Sequence, residues 1–147
     1  MRRRPDSGVS NLATILQRWD EVPAQRIRVV LVNQNPLLRE GLAVLIRLQT
    51  DMEVLAAAAT AEEAVQLYRE LRPDMTLIDL DLPNGAGIQA IIQIRKLNPS
   101  AAILGLVTDD WDDSAKKSAM RAGVRGCLAK ARLNAELIPR IREQCAP

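Results

Sequence analysis

The chain has 147 residues, of which 48% are hydrophobic and 26% are charged, and its net charge is +2. These values predict one globular domain with a tail, and the small net charge and the absence of Phe argue against direct nucleic-acid binding. Histidine is also absent, so the commonest zinc ligand and the usual base for a catalytic serine or thiol are missing. Two cysteines without CxxC spacing, and no apolar run of membrane-spanning length, predict a cytoplasmic protein without membrane contact.

Residues 1–26 precede the regular pattern of the chain and are predicted to form an extension that is partly helical or disordered. Within it, Leu12, Ile15, Leu16 and Trp19 recur at helical spacing after Ser10. This spacing is typical of a short amphipathic helix. Such a helix would dock on the rest of the chain or on a partner, or it would stay frayed, and the pattern does not decide between these alternatives.

From residue 27 to residue 147, short runs rich in Val, Ile and Leu alternate with longer segments of helical spacing. The strand candidates are residues 27–32, 53–59, 75–79, 101–108 and 126–130. Several of these runs are apolar at consecutive positions, as in parallel strands that are covered on both faces. The alternation predicts an α/β domain of five βα units, with a doubly wound parallel sheet and right-handed crossovers.

Local signals mark where the helices of these units begin and end. Helix starts are predicted at Asn35-Pro36 and at Thr60, where Glu63 completes a capping box. Helix ends are predicted at Pro73, Asn98-Pro99 and Gly123, and a last helix over residues 134–143 contains Pro139. Because proline lacks an N–H, we expect a lost backbone bond or a bend in this helix.

Polar residues follow three of the predicted strands and would meet at one edge of the sheet. Asp79 follows the third strand, Thr108 the fourth and Lys130 the fifth. Ligands of open parallel sheets bind at the carboxyl ends of the strands. A carboxylate, a hydroxyl and an ammonium suit a phosphoryl group, with Asp79 as nucleophile, Thr108 as hydrogen-bond donor and Lys130 as the positive charge.

The motifs around these residues resemble a response regulator receiver domain of two-component signalling. They are "VVLVNQNPLLREGL", "RPDMTLIDLDLPNGAG", "LVTDD" and "RAGVRGCLAK", and they are most similar to receivers of regulators with a helix-turn-helix output. The resemblance implies a flavodoxin-like fold with strand order 2-1-3-4-5. It also implies that Asp79 accepts a phosphoryl group from the phosphohistidine of a sensor kinase, that Thr108 moves toward the phosphate, and that Lys130 binds it.

The chain departs from the family where the first strand ends. The family has an acidic pair there that holds Mg²⁺, whereas this chain has Asn33 and Gln34. Neutral amides are poor substitutes for carboxylates at a hard divalent cation, so Mg²⁺ binding is predicted to be weak or absent. In the family, the residue at Asp81 contributes only its backbone carbonyl to the metal. Asp109 and Asp110 would lie on the same rim and could partly compensate, although placement near the start of the fourth helix explains them more simply.

A second departure is Cys127, which stands where the family has a Tyr or Phe switch residue. A small side chain cannot report a movement of Thr108 as a rotating ring would. Trp111 lies near the start of the fourth helix, on the face that such domains use for partners. The sequence therefore predicts a signalling receiver that is either a phospho-switch or a phosphorylation-independent module for protein contact or dimerisation.

The sequence has features of two other classes of protein. Asp79 and Asp81 have the Asp-x-Asp spacing of haloacid-dehalogenase-like phosphohydrolases, with Asp79 as nucleophile and Asp81 as acid/base, but no second acidic motif for Mg²⁺ follows. A transcription factor would need a helix-turn-helix, for which the residues after Cys145 leave no room. The sequence therefore predicts a signalling protein and not a metabolic enzyme. Its expected partners are a sensor histidine kinase or another signalling protein, and a second copy of itself.

Overall fold

The computed structural model describes residues 25–108 and 111–145. Expectations for residues 1–24, Asp109 and Asp110 lie outside these described residues. Five strands form a single parallel sheet in the order β2-β1-β3-β4-β5. They are β1 Ile27–Val32, β2 Met52–Ala58, β3 Met75–Asp79, β4 Ile103–Val107 and β5 Gly126–Ala129. The predicted flavodoxin-like fold and its strand order are confirmed.

Helices follow each of the described strands and cover both faces of the sheet. They are α1 Pro36–Arg47, α2 Ala61–Leu71, α3 Ala86–Leu97, α4 Asp113–Ala122 and α5 Leu133–Cys145. Short 3₁₀ turns precede α3 and α5, at Pro83–Gly85 and Lys130–Arg132. Within the described ranges, no helix is both long enough and apolar enough to cross a bilayer.

Alternate strand residues enter two separate cores. Val29 and Leu31 face α1 and α5, whereas Val30 and Val32 face the core that α2, α3 and α4 complete. Successive side chains of a strand point to opposite faces, so a strand between two helical layers is expected to be apolar at most positions. This explains the consecutive apolar residues at 29–32 in β1 and along β4, all of which are buried.

The predicted helix boundaries agree with the structure. The Asn35 side chain accepts hydrogen bonds from the N–H groups of Leu37 and Leu38. Thr60 accepts from the Glu63 N–H, and the Glu63 carboxylate accepts from the N–H of Ala59. Helix α4 ends before Gly123, whose φ of 122° is readily adopted only by glycine. Pro139 lies inside α5, and the bend expected there stays a prediction.

Candidate functional site at the carboxyl end of the sheet

The carboxyl ends of β1, β3, β4 and β5 bring the predicted site residues to one edge. Val32 pairs with Ile78, so the residues that follow them, Asn33 and Asp79, are neighbours across the two central strands. Val107 pairs with Ala129, which places Thr108 beside Lys130. The parallel register therefore places the phosphoryl-binding candidates at one rim.

Lys130 connects two carboxylates at this rim. Its Nζ lies 2.9 Å from Asp79 Oδ1 and 3.0 Å from Asp81 Oδ2. Asp79 is nearly buried, with a side chain that is 3% exposed, whereas the side chain of Asp81 is 25% exposed. Burial lowers the pKa of Lys130, but hydrogen bonds to Asp79 and Asp81 outweigh this effect, and its net pKa is raised. Lys130 is therefore a cation that partly neutralises the nearly buried Asp79 and the partly exposed Asp81.

The carboxylate of Asp81 is the most connected group at the rim. Besides Lys130, it accepts hydrogen bonds from the Thr108 N–H, at 3.1 Å, and from the indole N–H of Trp111. The N–H of Asp81 in turn donates to Asp79 Oδ1 at 2.9 Å. The receiver resemblance implied only a backbone role for Asp81, and a partner-facing role was expected for Trp111. The Asp-x-Asp spacing was the signal for Asp81, and nothing in the sequence identified the contact of Trp111.

The two amides that end the first strand occupy different environments. Asn33 is buried, Gln34 is exposed, and the Oδ1 of Asn33 accepts a hydrogen bond from the Asn35 N–H at 2.8 Å. The Nδ2 of Asn33 is buried without a hydrogen-bond partner among the described residues. The backbone carbonyl of Asn33 accepts from Arg39 at 2.7 Å. Asn33 therefore presents an unpaired donor next to the position of Asp79.

The described residues do not fit a magnesium ion at this rim. Mg²⁺ requires a near-octahedral set of oxygen ligands and usually binds carboxylates. Among the described residues, the two carboxylates at this rim, Asp79 and Asp81, contact the same ammonium, and the Oδ1 of Asn33 already accepts the Asn35 N–H. Across the part of the chain that the structure describes, no group of three His, Cys, Asp or Glu could hold a metal ion. Weak or absent Mg²⁺ binding stays a prediction.

Cys127 lines a cavity beside the rim. The cavity has a volume of about 390 Å³, and its other lining residues include Thr108, Lys116, Arg132 and Glu136. Burial raises the pKa of the Cys127 thiol, although the nearby charges of Lys116 and Arg140 oppose the shift. The position predicted for a switch residue therefore holds a small, protonated side chain at neutral pH, next to open space.

The sequence of this chain matches a family model described as "Response regulator receiver domain" over residues 29–142. The chain belongs to this family. Curated relatives include the uncharacterized transcriptional regulatory protein YxjL of Bacillus subtilis, 37% identical over 80% of this chain and 53% of the relative. Another is the transcriptional regulatory protein LiaR of the same organism, 36% identical over 79% of this chain and 54% of the relative. The chain thus spans about half the length of these relatives.

Solved structures of receivers have the same fold. A LuxR-family two-component response regulator from Aurantimonas sp. SI85-9A1 superimposes with a TM-score of 0.77 at 36% identity, covering 83% of this chain and 86% of that one. The response regulator domain of Thermotoga maritima CheB gives a TM-score of 0.76 at 27% identity, over 84% and 98% of the two chains. The predicted receiver function is confirmed, and the comparisons do not support the phosphohydrolase alternative.

Proposed function

We propose that this response regulator receiver works mainly through protein–protein contact that does not require phosphorylation. Asp79 is the residue that would accept a phosphoryl group, and it would do so inefficiently. The observation that carries the proposal is the contact of Lys130 with both Asp79 and Asp81 at a rim where amides end β1. A signalling role of this kind is not that of a metabolic enzyme.

The charge balance at the rim supports inefficient acceptance. Phosphoryl transfer onto an aspartate adds negative charge to a group that is already nearly buried, so catalysis depends on compensating cations. Lys130 supplies one positive charge, and it is shared between two carboxylates. A divalent cation would normally supply the rest. Because the described donors do not fit Mg²⁺, acceptance at Asp79 should be slow.

The surface formed by α4, β5 and α5 is proposed as the contact surface. It contains the cavity that Cys127 lines together with Lys116, Arg132 and Glu136. A cleft that combines apolar and charged side chains suits a protein partner. A sensor kinase, another signalling protein or a second copy of this chain are the partner classes, and any DNA binding of a longer protein would lie outside this domain.

Incubation with acetyl phosphate and Mg²⁺, followed by intact-mass measurement, tests the proposal. The wild-type chain should show little or no phosphoryl-sized mass increase while circular dichroism shows an intact fold. The double variant Asn33→Asp/Gln34→Asp restores two carboxylates and should gain the adduct, and Asp79→Asn in that background should abolish it. Rapid, complete modification of the wild-type chain that Asp79→Asn abolishes would contradict the proposal.

A second measurement concerns the contact itself. Sedimentation velocity should give the same association state for the wild-type chain and for Asp79→Asn, with and without acetyl phosphate. A change in mass that depends on both acetyl phosphate and Asp79 would show a working phospho-switch instead.

A further inference from the structure

Helix α1 has an apolar stripe on its solvent-facing side. Leu37 is 81% exposed, Val44 58% and the C-cap Leu48 72%. With Gly41, these residues follow the spacing i, i+4, i+7 and i+11, and such alternating steps of four and three residues are typical of a coiled-coil seam. The opposite side of the helix buries its apolar residues against the sheet. Helix α1 is therefore apolar on two sides, and the described residues cover only one of them.

The centre of the stripe combines a depression with a projection. Gly41 has no side chain, and a Cβ at this position would meet nothing within 4 Å. Val44, one turn further along the same side, projects a branched side chain into solvent. When two copies of α1 run antiparallel about a two-fold axis between these residues, Val44 of each copy faces Gly41 of the other. The same axis pairs Leu37 of each copy with Leu48 of the other, so the stripe is complementary in shape to its own copy.

The charges beside the stripe suit the same arrangement. Glu40 and Arg47 are exposed, and no ion pair joins either side chain to another described residue. They are seven residues apart and therefore lie along the same edge of the stripe. About the two-fold axis that pairs Val44 with Gly41, Glu40 of each copy lies beside Arg47 of the other. Opposite charges thus meet twice across the seam, and this complementarity favours a second copy as the occupant.

We propose that this receiver associates with a second copy of itself through the Leu37–Gly41–Val44–Leu48 stripe, with the two α1 helices antiparallel. The seam is about 16 Å long. Because such an interface is small, the association is weak, with a dissociation constant on the order of 0.1 mM. The seam uses no residue of α4, β5 or α5 and does not involve Asp79, so it is independent of the phosphorylation state.

Sedimentation equilibrium of the full chain tests the apolar part of the seam. Across concentrations from about tenfold below to about tenfold above that dissociation constant, the average mass should rise from monomer toward dimer. Val44→Glu should abolish the rise. Met120→Glu changes another exposed apolar residue, on α4, and is the matched control that should leave the rise unchanged. Both positions are exposed, so circular dichroism should show an intact fold.

Gly41→Leu separates a specific seam from general apolar adhesion. The new side chain has open space within its own molecule, so the fold should persist. It adds apolar surface but fills the depression that receives Val44 of the other copy, and association should therefore weaken by about tenfold or more. Stronger association of Gly41→Leu would overturn the proposed seam.

Charge exchange tests the direction of the two helices. Glu40→Lys and Arg47→Glu should each weaken the dimer at low ionic strength, because each variant then has like charges at both contacts. An equimolar mixture of the two variants should recover association, since the mixed dimer has opposite charges at both contacts. A monomer at every wild-type concentration, a dimer that Met120→Glu also disrupts, or a mixture that stays monomeric would overturn the proposal.

Discussion

Replacement of Lys130 by Met should destabilise the domain by about 2 kcal/mol at neutral pH. The variant keeps an apolar stem but leaves Asp79, 3% exposed, beside Asp81 without a counter-charge. Removal of one partner of a fully buried ion pair costs about 3–5 kcal/mol. The expected cost here is lower, about 2 kcal/mol, because the side chains of Lys130 and Asp81 are 23% and 25% exposed and water screens part of the interaction.

The dependence of this loss on pH follows from the raised pKa of Lys130. Burial alone would lower that pKa, but hydrogen bonds to Asp79 and Asp81 raise it overall. The stabilisation by Lys130 is therefore fully present below the unfolded lysine pKa of about 10.4 and is lost as pH rises through the higher folded value.

Urea denaturation followed by circular dichroism measures this free energy of unfolding. Lys117→Met removes an exposed lysine of α4 and should change stability by less than about 0.5 kcal/mol. Adding Asp79→Asn to Lys130→Met should recover most of the loss, because the uncompensated buried charge is then gone. If Lys130→Met is as stable as the wild-type chain at pH 7, or if Asp79→Asn restores nothing, the reasoning is refuted.

Three further predictions concern other parts of the fold. Gly87→Ala would place a Cβ 2.7 Å from the Asp79 carbonyl oxygen and should cost about 1–3 kcal/mol in urea denaturation; unchanged stability would show that α3 moves freely. The Arg142 guanidinium holds the pKa of Asp51 below its usual value, so the stabilisation is present above the unfolded pKa and lost as pH falls through the folded one. Asp51→Asn should then cost up to about 1 kcal/mol at pH 7 and progressively less as the pH falls through the folded pKa, and a deficit that is independent of pH would contradict this. Because burial raises the pKa of Cys127, its alkylation by iodoacetamide at pH 7.5, followed by peptide mass, should be much slower than that of an unstructured cysteine.

Much of the fold could be predicted because local chemistry and burial agree. The run at residues 27–32 coincides with β1, Ile27–Val32, since its last four positions are consecutive apolar residues that are buried between two helical layers. Strand boundaries were less certain. Residues 101–108 were predicted as a strand, whereas β4 covers Ile103–Val107, because Ala101 and Ala102 are buried without belonging to the strand. An apolar run in the sequence indicates which residues are buried. It does not show which of them form backbone hydrogen bonds with a neighbouring strand.

The candidate site was predictable in position but not in its contacts. The places of Asp79, Thr108 and Lys130 follow from the repeat, because equivalent strand ends meet at one rim. The contacts of Asp81 with Trp111 and with the Thr108 N–H join residues about 30 positions apart. They depend on how the loop after β4 turns, and sequence spacing does not specify that turn.

Titration with Mg²⁺ tests the central claim most directly, that this rim lacks the ligands for the metal. In a Trp19→Phe variant the only remaining tryptophan is Trp111, whose indole donates to Asp81, so its fluorescence should report any metal at the rim. The emission should stay unchanged at millimolar Mg²⁺, whereas the same chain with Asn33→Asp and Gln34→Asp should show a saturable change. A saturable response with Asn33 and Gln34 in place, abolished by Asp79→Asn, would contradict the account.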